Sequence, residues 1–288
     1  MRYGIYYAYW EKQWGGDYLH YIKKAAGLGF DILELSCAGM KDLPTETIQD
    51  LTQAKRDSGV TLTGGYGPRP EDNIASPDPA VVNKALDFWK RTFEVLQKLE
   101  ITLVGGGLYS YWPVDFSKPF DKGEDLKRSV EGMRKLSPVA AGYGITLGME
   151  ALNRFEGYLL NTAAETVEYV KAVGCENVKV MLDTFHMNIE EESFTGAIRC
   201  AGSRLGHFHI GEPNRRPPHE GSRFNWREIG ETLREIGYTG TVVMEPFVLM
   251  GGQVGRDIKV WRDLSDGEGL DRAAAASVAY IRKTFEGN

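Results

Sequence analysis

Short β-rich runs alternate with longer segments of helical periodicity along the whole chain. Eight β-rich runs can be counted, at residues 3–8, 31–36, 60–65, 101–106, 145–150, 178–183, 205–210 and 241–246. Helices are predicted between them at 79–99, 122–143, 162–174 and 225–236, with a final helix near 270–285. This alternation is typical of βα units around a parallel sheet. Eight units favour a closed (β/α)8 TIM barrel over an open doubly wound sheet, which usually has fewer strands.

Length and local signals are consistent with one barrel. At 288 residues the chain lies within the size range of a single TIM barrel, so residues 1–288 are interpreted as one catalytic domain. Thr162 and Glu165 have capping-box spacing, and Gly174 follows a helical run where a left-handed residue often ends a helix. Two irregular stretches, 211–224 and 247–268, are long enough to be loops that cover a substrate.

Composition and charge exclude several classes of function. With 42% hydrophobic and 26% charged residues, the chain can bury a large core beneath a charged surface. A net charge of -6 would repel a polyphosphate backbone, so no nucleic-acid partner is expected. The first residues do not resemble a signal peptide and no apolar run has the length of a membrane span, so we expect a cytoplasmic protein with no membrane partner. The three cysteines are widely separated and predict neither a disulfide nor a thiolate metal site.

Four potential metal ligands fall at the ends of consecutive predicted strands. Glu150 ends the fifth strand and Asp183 the sixth, while His209 and Glu245 lie near the ends of the seventh and eighth. A TIM barrel gathers the C-terminal ends of its strands at one rim, where its active sites are built. A single carboxylate at a strand end is more often a helix cap. Four candidates in consecutive strands instead predict one shared site.

Three carboxylates and one imidazole form a hard donor set that is mostly oxygen. Such a set favours Mn²⁺, with Co²⁺ or Mg²⁺ as alternatives, over a thiolate-type zinc site. Glu150 and Glu245 are separated by two strands and are expected to flank a substrate from opposite sides. One could remove a proton next to a carbonyl while the other returns it on the opposite face. The sequence therefore predicts metal-assisted carbon epimerisation with Glu150 and Glu245 as the catalytic acid/base pair.

Six longer motifs resemble the ketose 3-epimerases, which act on psicose-type and tagatose-type sugars. They are GIYYAYW near the start, GGGLYSYWP at 105–113, GMEALNRFEGYLLNT at 148–162, VKVMLDTFHMNIEEE at 178–192, GHFHIGEPNR at 206–215 and VVMEPFVLMGGQVG at 242–255. The resemblance spans essentially the entire chain. It implies an isomerase that moves a proton at C3 of a small ketose, with the same four metal ligands. It also implies a homodimer or a homotetramer.

The same resemblance implies six substrate-binding residues. Three would hold the O1 to O3 region of the sugar and three would shape the pocket, in this order: Glu156, His186 and Arg215, then Tyr6, Gly107 and Trp112. The residue types suit these roles, because Arg215 offers several donors beside His209 and His186 follows Asp183 by three residues.

One loop departs from the family pattern. The segment RRPPHEGSRFNW replaces a shorter connection and brings two extra polar residues, His219 and Glu220, which we expect to be solvated. His207 is expected to point to the opposite side of its strand from His209 and is not counted as a ligand. His20 has no assigned role.

Three other functions stay open at this stage. The first is a different sugar isomerase or a keto-sugar dehydratase that uses the same metal chemistry on the same barrel. The second is a barrel endonuclease acting on abasic DNA. Such an enzyme would need a basic face and a histidine-rich metal site, whereas this chain has only five histidines and a net negative charge. The third is a metal-binding or sugar-binding protein without catalysis.

Overall fold

Eight parallel strands pair in sequence order, and β1 pairs with β8 to close a barrel. A computed structural model describes residues 1–265, 267 and 269–287. The strands are β1 Arg2–Tyr6, β2 Ile32–Ser36, β3 Thr61–Gly65, β4 Leu103–Gly106, β5 Thr146–Glu150, β6 Val178–Asp183, β7 Leu205–Ile210 and β8 Thr241–Met244. The predicted TIM barrel is confirmed.

The helices surround the barrel on its outer side. They are α1 Tyr18–Gly27, α2 Thr45–Ser58, α3 Pro79–Lys98, α4 Lys122–Gly142, α5 Ala163–Val173, α6 Thr184–Glu190, α7 Phe194–Ala201, α8 Trp226–Glu235, α9 Gly252–Asp257 and α10 Leu270–Glu286. The predicted loop 211–224 has no helix, whereas the predicted loop 247–268 contains α9. Residues 266 and 268 of that loop, and residue 288 of the predicted domain, lie outside the described residues. No described helix is both long and apolar enough to cross a membrane.

Two strands, β4 and β8, are each two residues shorter than predicted because their ends make other hydrogen bonds. The backbone N–H of Ile101 donates to Leu96 O at 2.9 Å and so completes the end of α3 instead of extending β4. At the other strand, Glu245 N still reaches Ile210 O at 3.1 Å, but Phe247 N turns away to Arg215 O at 2.8 Å. Glu245 therefore directly follows β8, at the rim.

The predicted signals at both ends of α5 are confirmed. The Thr162 hydroxyl accepts a hydrogen bond from Glu165 N at 3.2 Å. The Glu165 carboxylate in turn accepts from Asn161 N at 2.7 Å, one residue earlier than in a reciprocal capping box. Gly174 ends the helix with φ 74°, a left-handed conformation that glycine adopts without strain.

Glycines in the barrel wall leave space for polar groups inside the barrel. A Cβ on Gly105 of β4 would lie 2.5 Å from Met181 Sδ and 3.0 Å from His207 Cδ2. A Cβ on Gly65 of β3 would lie 3.3 Å from Glu34 Oε1. The small residues of β3 and β4 thus accommodate side chains from β2 and β7 beneath the rim.

Candidate metal centre and active site

The four predicted ligands lie together at the C-terminal rim of the barrel. Glu150, Asp183, His209 and Glu245 each offer one ligand atom, and these atoms all lie within 4.8 Å of one another. The strand register brings Asp183 of β6 beside His209 of β7. Glu150, Asp183 and His209 are buried, while Glu245 is partly exposed. The cluster is therefore open to the rim mainly on the Glu245 side.

Two atoms of this cluster are buried without a hydrogen-bond partner among the described residues. They are Glu150 Oε1 and His209 Nδ1. Nδ1 lies 3.8 Å from Glu245 Oε2, while Nε2 of the same ring bonds Glu34 Oε1 at 2.7 Å. Buried polar atoms in proteins are rarely left without a partner, and a bound water or ion commonly supplies one. The three oxygen donors and one imidazole nitrogen therefore fit a divalent cation that prefers oxygen.

Arg215 contributes a buried positive charge to the cluster. Its Nη1 donates to Glu245 Oε2 at 2.7 Å and to Asp183 Oδ2 at 3.0 Å. The guanidinium carbon also lies 3.8 Å from the centre of the Phe185 ring. The residue is only 5% exposed, so it is part of the site and not a solvated surface charge. The guanidinium of Arg215 therefore neutralises part of the negative charge of these carboxylates, as a bound cation would also do.

The loop after β7 holds Arg215 in a left-handed backbone conformation. Arg215 has φ 63°, which non-glycine residues rarely adopt. Its N–H donates to Glu212 O at 2.8 Å, and its carbonyl accepts from Phe247 N at 2.8 Å. The buried Glu212 carboxylate accepts from Trp226 Nε1 at 3.0 Å and Ser222 Oγ at 2.5 Å. Such strain persists where the surroundings hold it, often at functional sites.

The carboxylates of the cluster differ in their affinity for protons. Burial raises the pKa of Glu150 well above its ordinary value, and the charge of Glu245 adds to this rise. Burial also opposes ionisation of Asp183, but Arg215 and the neighbouring histidines outweigh it and lower the pKa of that carboxyl. Glu150 is thus the carboxyl of this pair that more readily carries a proton.

Four of the predicted substrate-binding residues, Trp112, Glu156, His186 and Arg215, form one polar wall. Trp112 Nε1 donates to Glu156 Oε2 at 3.2 Å, and Asn153 Nδ2 donates to Glu156 Oε1 at 3.1 Å. His186 Nε2 lies 3.6 Å from Glu150 Oε1 and 3.9 Å from Asp183 Oδ2. Arg215 Nη2 approaches Glu156 Oε1 at 3.7 Å. The wall is therefore continuous with the metal cluster.

A cavity of about 250 Å³ opens above the cluster. Its lining includes all six predicted substrate-binding residues together with three of the four predicted ligands: Tyr6, Gly107, Trp112, Glu156, His186 and Arg215, with Glu150, His209 and Glu245. Trp14, Tyr66 and Phe247 also line it, and the sequence did not single them out. An aromatic, mostly apolar cavity with a few charged groups at one end suits a small polar ligand.

Gly107 lines the cavity, as its predicted place in the pocket requires, but the backbone constraint at this turn falls on its neighbour. A Cβ on Gly107 would come no nearer than 3.6 Å to another residue, at Leu152 Cδ1. Gly106 instead has φ 122°, and its Cβ would lie 2.4 Å from Tyr66 O. Gly106 is the glycine that the backbone requires, while Gly107 borders the cavity and leaves it wide.

Two segments form one side of the cavity mouth. Trp14 Nε1 donates to Asp257 Oδ2 at 2.7 Å, and Val254 N donates to Lys12 O at 3.1 Å. Trp14 and Asp257 both line the cavity. A Cβ on Gly252 would lie 2.0 Å from Lys12 O. Close contact between residues 12–14 and α9 thus shapes the entrance.

The predicted orientation of His207 is wrong. His207 points into the barrel, on the same side as His209, and its Nε2 lies 2.8 Å from Glu34 Oε2. Residues i and i+2 of a strand share a face, so the HFH spacing itself indicated this arrangement. Glu34 was also missed, although a carboxylate inside the apolar run DILELS was a signal of a buried polar partner.

The two extra polar residues of the loop after β7 are exposed, as expected. His219 Nδ1 lies 2.8 Å from the carbonyl oxygen of Glu220, and the backbone N–H of His219 donates to Glu212 Oε1 at 3.3 Å. Neither side chain lines the cavity described above.

Comparisons with known proteins agree with the fold and the site. A family model described as xylose isomerase-like TIM barrel matches residues 22–264. The D-psicose 3-epimerase of Ruminiclostridium cellulolyticum is 53% identical over 99% of this chain and 98% of its own. The D-psicose 3-epimerase of Agrobacterium fabrum is 50% identical over 100% of both chains. A crystal structure of D-psicose 3-epimerase with D-tagatose, from Clostridium cellulolyticum, superposes with a TM-score of 0.97 at 52% identity and covers 99% of each chain.

The fold and the match to the family model define the chain as a xylose isomerase-like TIM barrel. Within that class, the full-length similarity makes it a member of the ketose 3-epimerases. The ketose 3-epimerases are isomerases. The resemblance seen in the six sequence motifs is thereby confirmed.

Proposed function

We propose that the protein interconverts ketoses that differ at C3, of the D-fructose and D-psicose or the D-tagatose and D-sorbose type. The observation that carries this proposal is the cluster of Glu150, Asp183, His209 and Glu245 at the closed end of a monosaccharide-sized cavity. The curated relatives with the highest identity reported above are named D-psicose 3-epimerase.

The four residues of the cluster would hold Mn²⁺, with Co²⁺ or Mg²⁺ as alternatives. When bound, such an ion polarises the substrate carbonyl and stabilises the negative charge that develops at its oxygens, a contribution of several kcal/mol. Two unpaired buried atoms, Glu150 Oε1 and His209 Nδ1, support this assignment.

Glu150 and Glu245 would act as the acid/base pair. One carboxylate removes the C3 proton, an enediolate forms, and the other carboxyl group returns a proton to the opposite face of C3. The raised pKa of Glu150 supports its ability to carry that proton. Positioned groups of this kind contribute roughly 10²- to 10⁴-fold in rate.

The remaining polar residues would orient the sugar. Glu156, His186 and Arg215 would bind the O1 to O3 region, since their polar atoms lie next to the cluster. Tyr6, Gly107 and Trp112 would bound the rest of the ketose, because all three line the same cavity. Orientation by fixed donors aligns the C3 proton with the base and is a large part of catalysis in general.

The assembly and location follow the earlier expectations. We propose a cytoplasmic homodimer or homotetramer. Three exposed aromatic residues near the rim, Phe116, Phe120 and Phe155, support self-association, since they are 43%, 54% and 66% exposed. Light scattering after size-exclusion chromatography measures the oligomeric state, and a monomer would contradict this part.

The activity is tested with metal-stripped and Mn²⁺-reloaded protein. D-Fructose, D-psicose and D-tagatose are incubated with each form in D₂O, and products are followed by NMR. We expect Mn²⁺-dependent epimerisation with deuterium at C3, and we expect Glu150→Gln and Glu245→Gln to abolish it. Label at C1 would instead indicate an aldose–ketose isomerase, and metal retention without turnover would indicate a binding protein.

A further inference from the structure

We propose that Glu34 is a positioning residue for the metal centre, which holds the ring proton of His209 on Nε2 and leaves Nδ1 free to bind the ion. The inference deepens the proposed function and rests on the metal site proposed there. Glu34 lies on β2, opposite β6 in the closed barrel and outside the strands that carry the four predicted ligands. Its carboxylate is fully buried and does not line the cavity described above.

Glu34 accepts three hydrogen bonds with its two oxygens. Oε1 lies 2.7 Å from His209 Nε2. Oε2 lies 2.8 Å from His207 Nε2 and 2.8 Å from the hydroxyl of Thr63. A carboxylate that serves three donors has no proton of its own to offer, so each of these partners must donate to it. His209 therefore carries a hydrogen on Nε2.

The orientation of His209 follows from this bond. A neutral imidazole has one N–H and one lone pair, and a histidine binds a metal in its neutral form. With Nε2 committed to Glu34, the lone pair of the metal-binding form lies on Nδ1. Nδ1 is the ring atom that is buried without a partner among the described residues, 3.8 Å from Glu245 Oε2. The arrangement thus aims the lone pair at the carboxylates.

His207 and Thr241 secure Glu34 from below. His207 Nδ1 lies 2.6 Å from Thr241 Oγ1, so the Thr241 hydroxyl can donate to Nδ1 while Nε2–H donates to Glu34. Thr241 lies directly beside His207 in the pairing of β7 with β8. His207 is completely buried, and Gly105 on β4 leaves the space that its ring occupies. The strands of the barrel therefore hold in place the series of hydrogen bonds that runs from Thr241 through His207 and Glu34 to His209.

The same residues could be taken for a second metal site. Glu34, His207 and His209 also offer three ligand atoms within 4.8 Å of one another. Hydrogen bonds of ordinary length account for both oxygens of Glu34, for both nitrogens of His207 and for Nε2 of His209. The cluster at the rim instead contains unpaired atoms. The geometry consequently favours one ion, at the rim, supported by Glu34.

The test compares Mn²⁺ affinity in two isosteric variants. Glu34→Gln keeps the side-chain volume but replaces one acceptor by a donor and removes the charge. Thr63→Val removes one hydrogen bond to the same carboxylate and leaves the His209 contact in place. Partners of a metal-binding histidine typically contribute about 10- to 100-fold to metal affinity. We expect a loss of that size in Glu34→Gln and an affinity close to wild type in Thr63→Val.

Free Mn²⁺ is measured by electron paramagnetic resonance, and thermal unfolding of the metal-free proteins reports on folding. A role in stability alone would lower the unfolding temperature of Glu34→Gln and leave its Mn²⁺ affinity unchanged, which would overturn the inference. Failure of the wild-type protein to bind Mn²⁺ would overturn the proposed metal site itself. The two failures are therefore distinguishable.

A second measurement needs no variant. In ¹⁵N-histidine-labelled protein loaded with Mg²⁺, the five imidazoles can be compared by long-range ¹H–¹⁵N correlation. We expect His209 to carry its proton on Nε2. A proton on Nδ1 of the same ring would contradict the proposed role of Glu34, even where Glu34→Gln fails to fold.

Discussion

Asn153 donates two hydrogen bonds to a single atom of His186. Its side-chain Nδ2 lies 2.8 Å from His186 Nδ1, and its backbone N lies 3.2 Å from the same atom. The amide orientation is fixed because Asn153 Oδ1 accepts from Phe155 N at 2.9 Å. Burial lowers the pKa of His186, so the ring is neutral near neutral pH. Its proton therefore lies on Nε2, which faces Glu150 at the cavity.

The first prediction concerns this contact. Asn153→Asp keeps the acceptor for Phe155 N but replaces the amide donor by an oxygen next to Glu156 and His186. The new carboxylate should draw a proton to His186 Nδ1, opposed by the backbone N–H of residue 153 that still points there, so Nε2 should lose its fixed role as a donor. A lost hydrogen bond is worth about 1 kcal/mol, so we expect kcat/KM for D-psicose to fall about fivefold.

Asn161→Asp is the matched control for that variant. Asn161 lies in the same loop and donates to Leu152 O at 2.8 Å and Gly157 O at 2.9 Å, without contact to His186. We expect it to lower the unfolding temperature and to leave kcat/KM nearly unchanged. Equal losses of activity in both variants would show that Asn153 acts only through the loop.

The second prediction separates substrate binding from metal binding at Arg215. Arg215→Met removes a charged hydrogen bond worth about 1.5–3 kcal/mol, so kcat/KM should fall about 10- to 100-fold. Mn²⁺ should bind more tightly, because the guanidinium no longer competes for oxygens of Asp183 and Glu245. Steady-state kinetics and Mn²⁺ titration measure the two effects. Arg223→Met, an exposed change in the same loop, should alter neither.

The third prediction is a pH dependence of metal binding. Glu150 has a raised pKa, so it keeps its proton at pH values where an ordinary glutamate is ionised, and a metal ligand must release that proton. Mn²⁺ affinity should therefore rise with pH, by up to about tenfold per pH unit for one released proton, and level off above the pKa of Glu150. Calorimetry in two buffers of different ionisation enthalpy counts the protons. Release that is unchanged in Glu150→Gln would show that another group supplies them.

The same shift also predicts how stability responds to pH. A carboxyl whose pKa is raised by folding is protonated in the folded protein at pH values where the unfolded chain has lost its proton. Its contribution to stability is therefore present below the unfolded pKa of Glu150 and is lost as pH rises through the folded pKa. Bound Mn²⁺ should offset this loss, so the increase in unfolding temperature on adding Mn²⁺ should grow with pH.

The fourth prediction compares two adjacent glycines at the cavity mouth. Gly251 and Gly252 both have positive φ, of 87° and 68°, but only at Gly252 would a Cβ collide with Lys12 O. Gly251→Ala should cost about 1–3 kcal/mol of stability through backbone strain alone, because φ 87° with ψ −177° is a conformation that essentially only glycine adopts. Gly252→Ala should in addition displace α9 from Trp14 and raise KM for D-psicose. An equal KM in both variants would mean that the contact does not shape the entrance.

The sequence predicted the barrel well because its signals are local. Each strand is a short β-rich run, and the ends of α5 are determined by Thr162 and Gly174, residues within the same segment. The ligand cluster could be anticipated for a related reason: strand order and strand ends fix which side chains meet at the rim, even when the chain between them is long.

Contacts across the barrel could not be anticipated in the same way. The meeting of Glu34 with His207 and His209 joins strands on opposite sides, and no spacing along the chain encodes it. The left-handed conformation of Arg215 depends on Glu212 and Phe247, which approach it from different segments. The orientation of His207 is different, because it could be predicted from the sequence. Residues two apart in a strand point to the same face, so His207 had to share the face of His209.

The two halves of the barrel contribute different kinds of side chain to the cavity. All four predicted metal ligands come from β5 to β8 or the residue directly after β8, whereas the first four strands and their loops supply mostly aromatic side chains and glycines. Under the proposed function, we expect the half from β5 to β8 to bind the reacting end of the sugar and the other half to contact the rest of it. Mutational libraries confined to the loops after β1, β3 and β4 could therefore redirect the enzyme to new ketoses while its reaction chemistry stays intact.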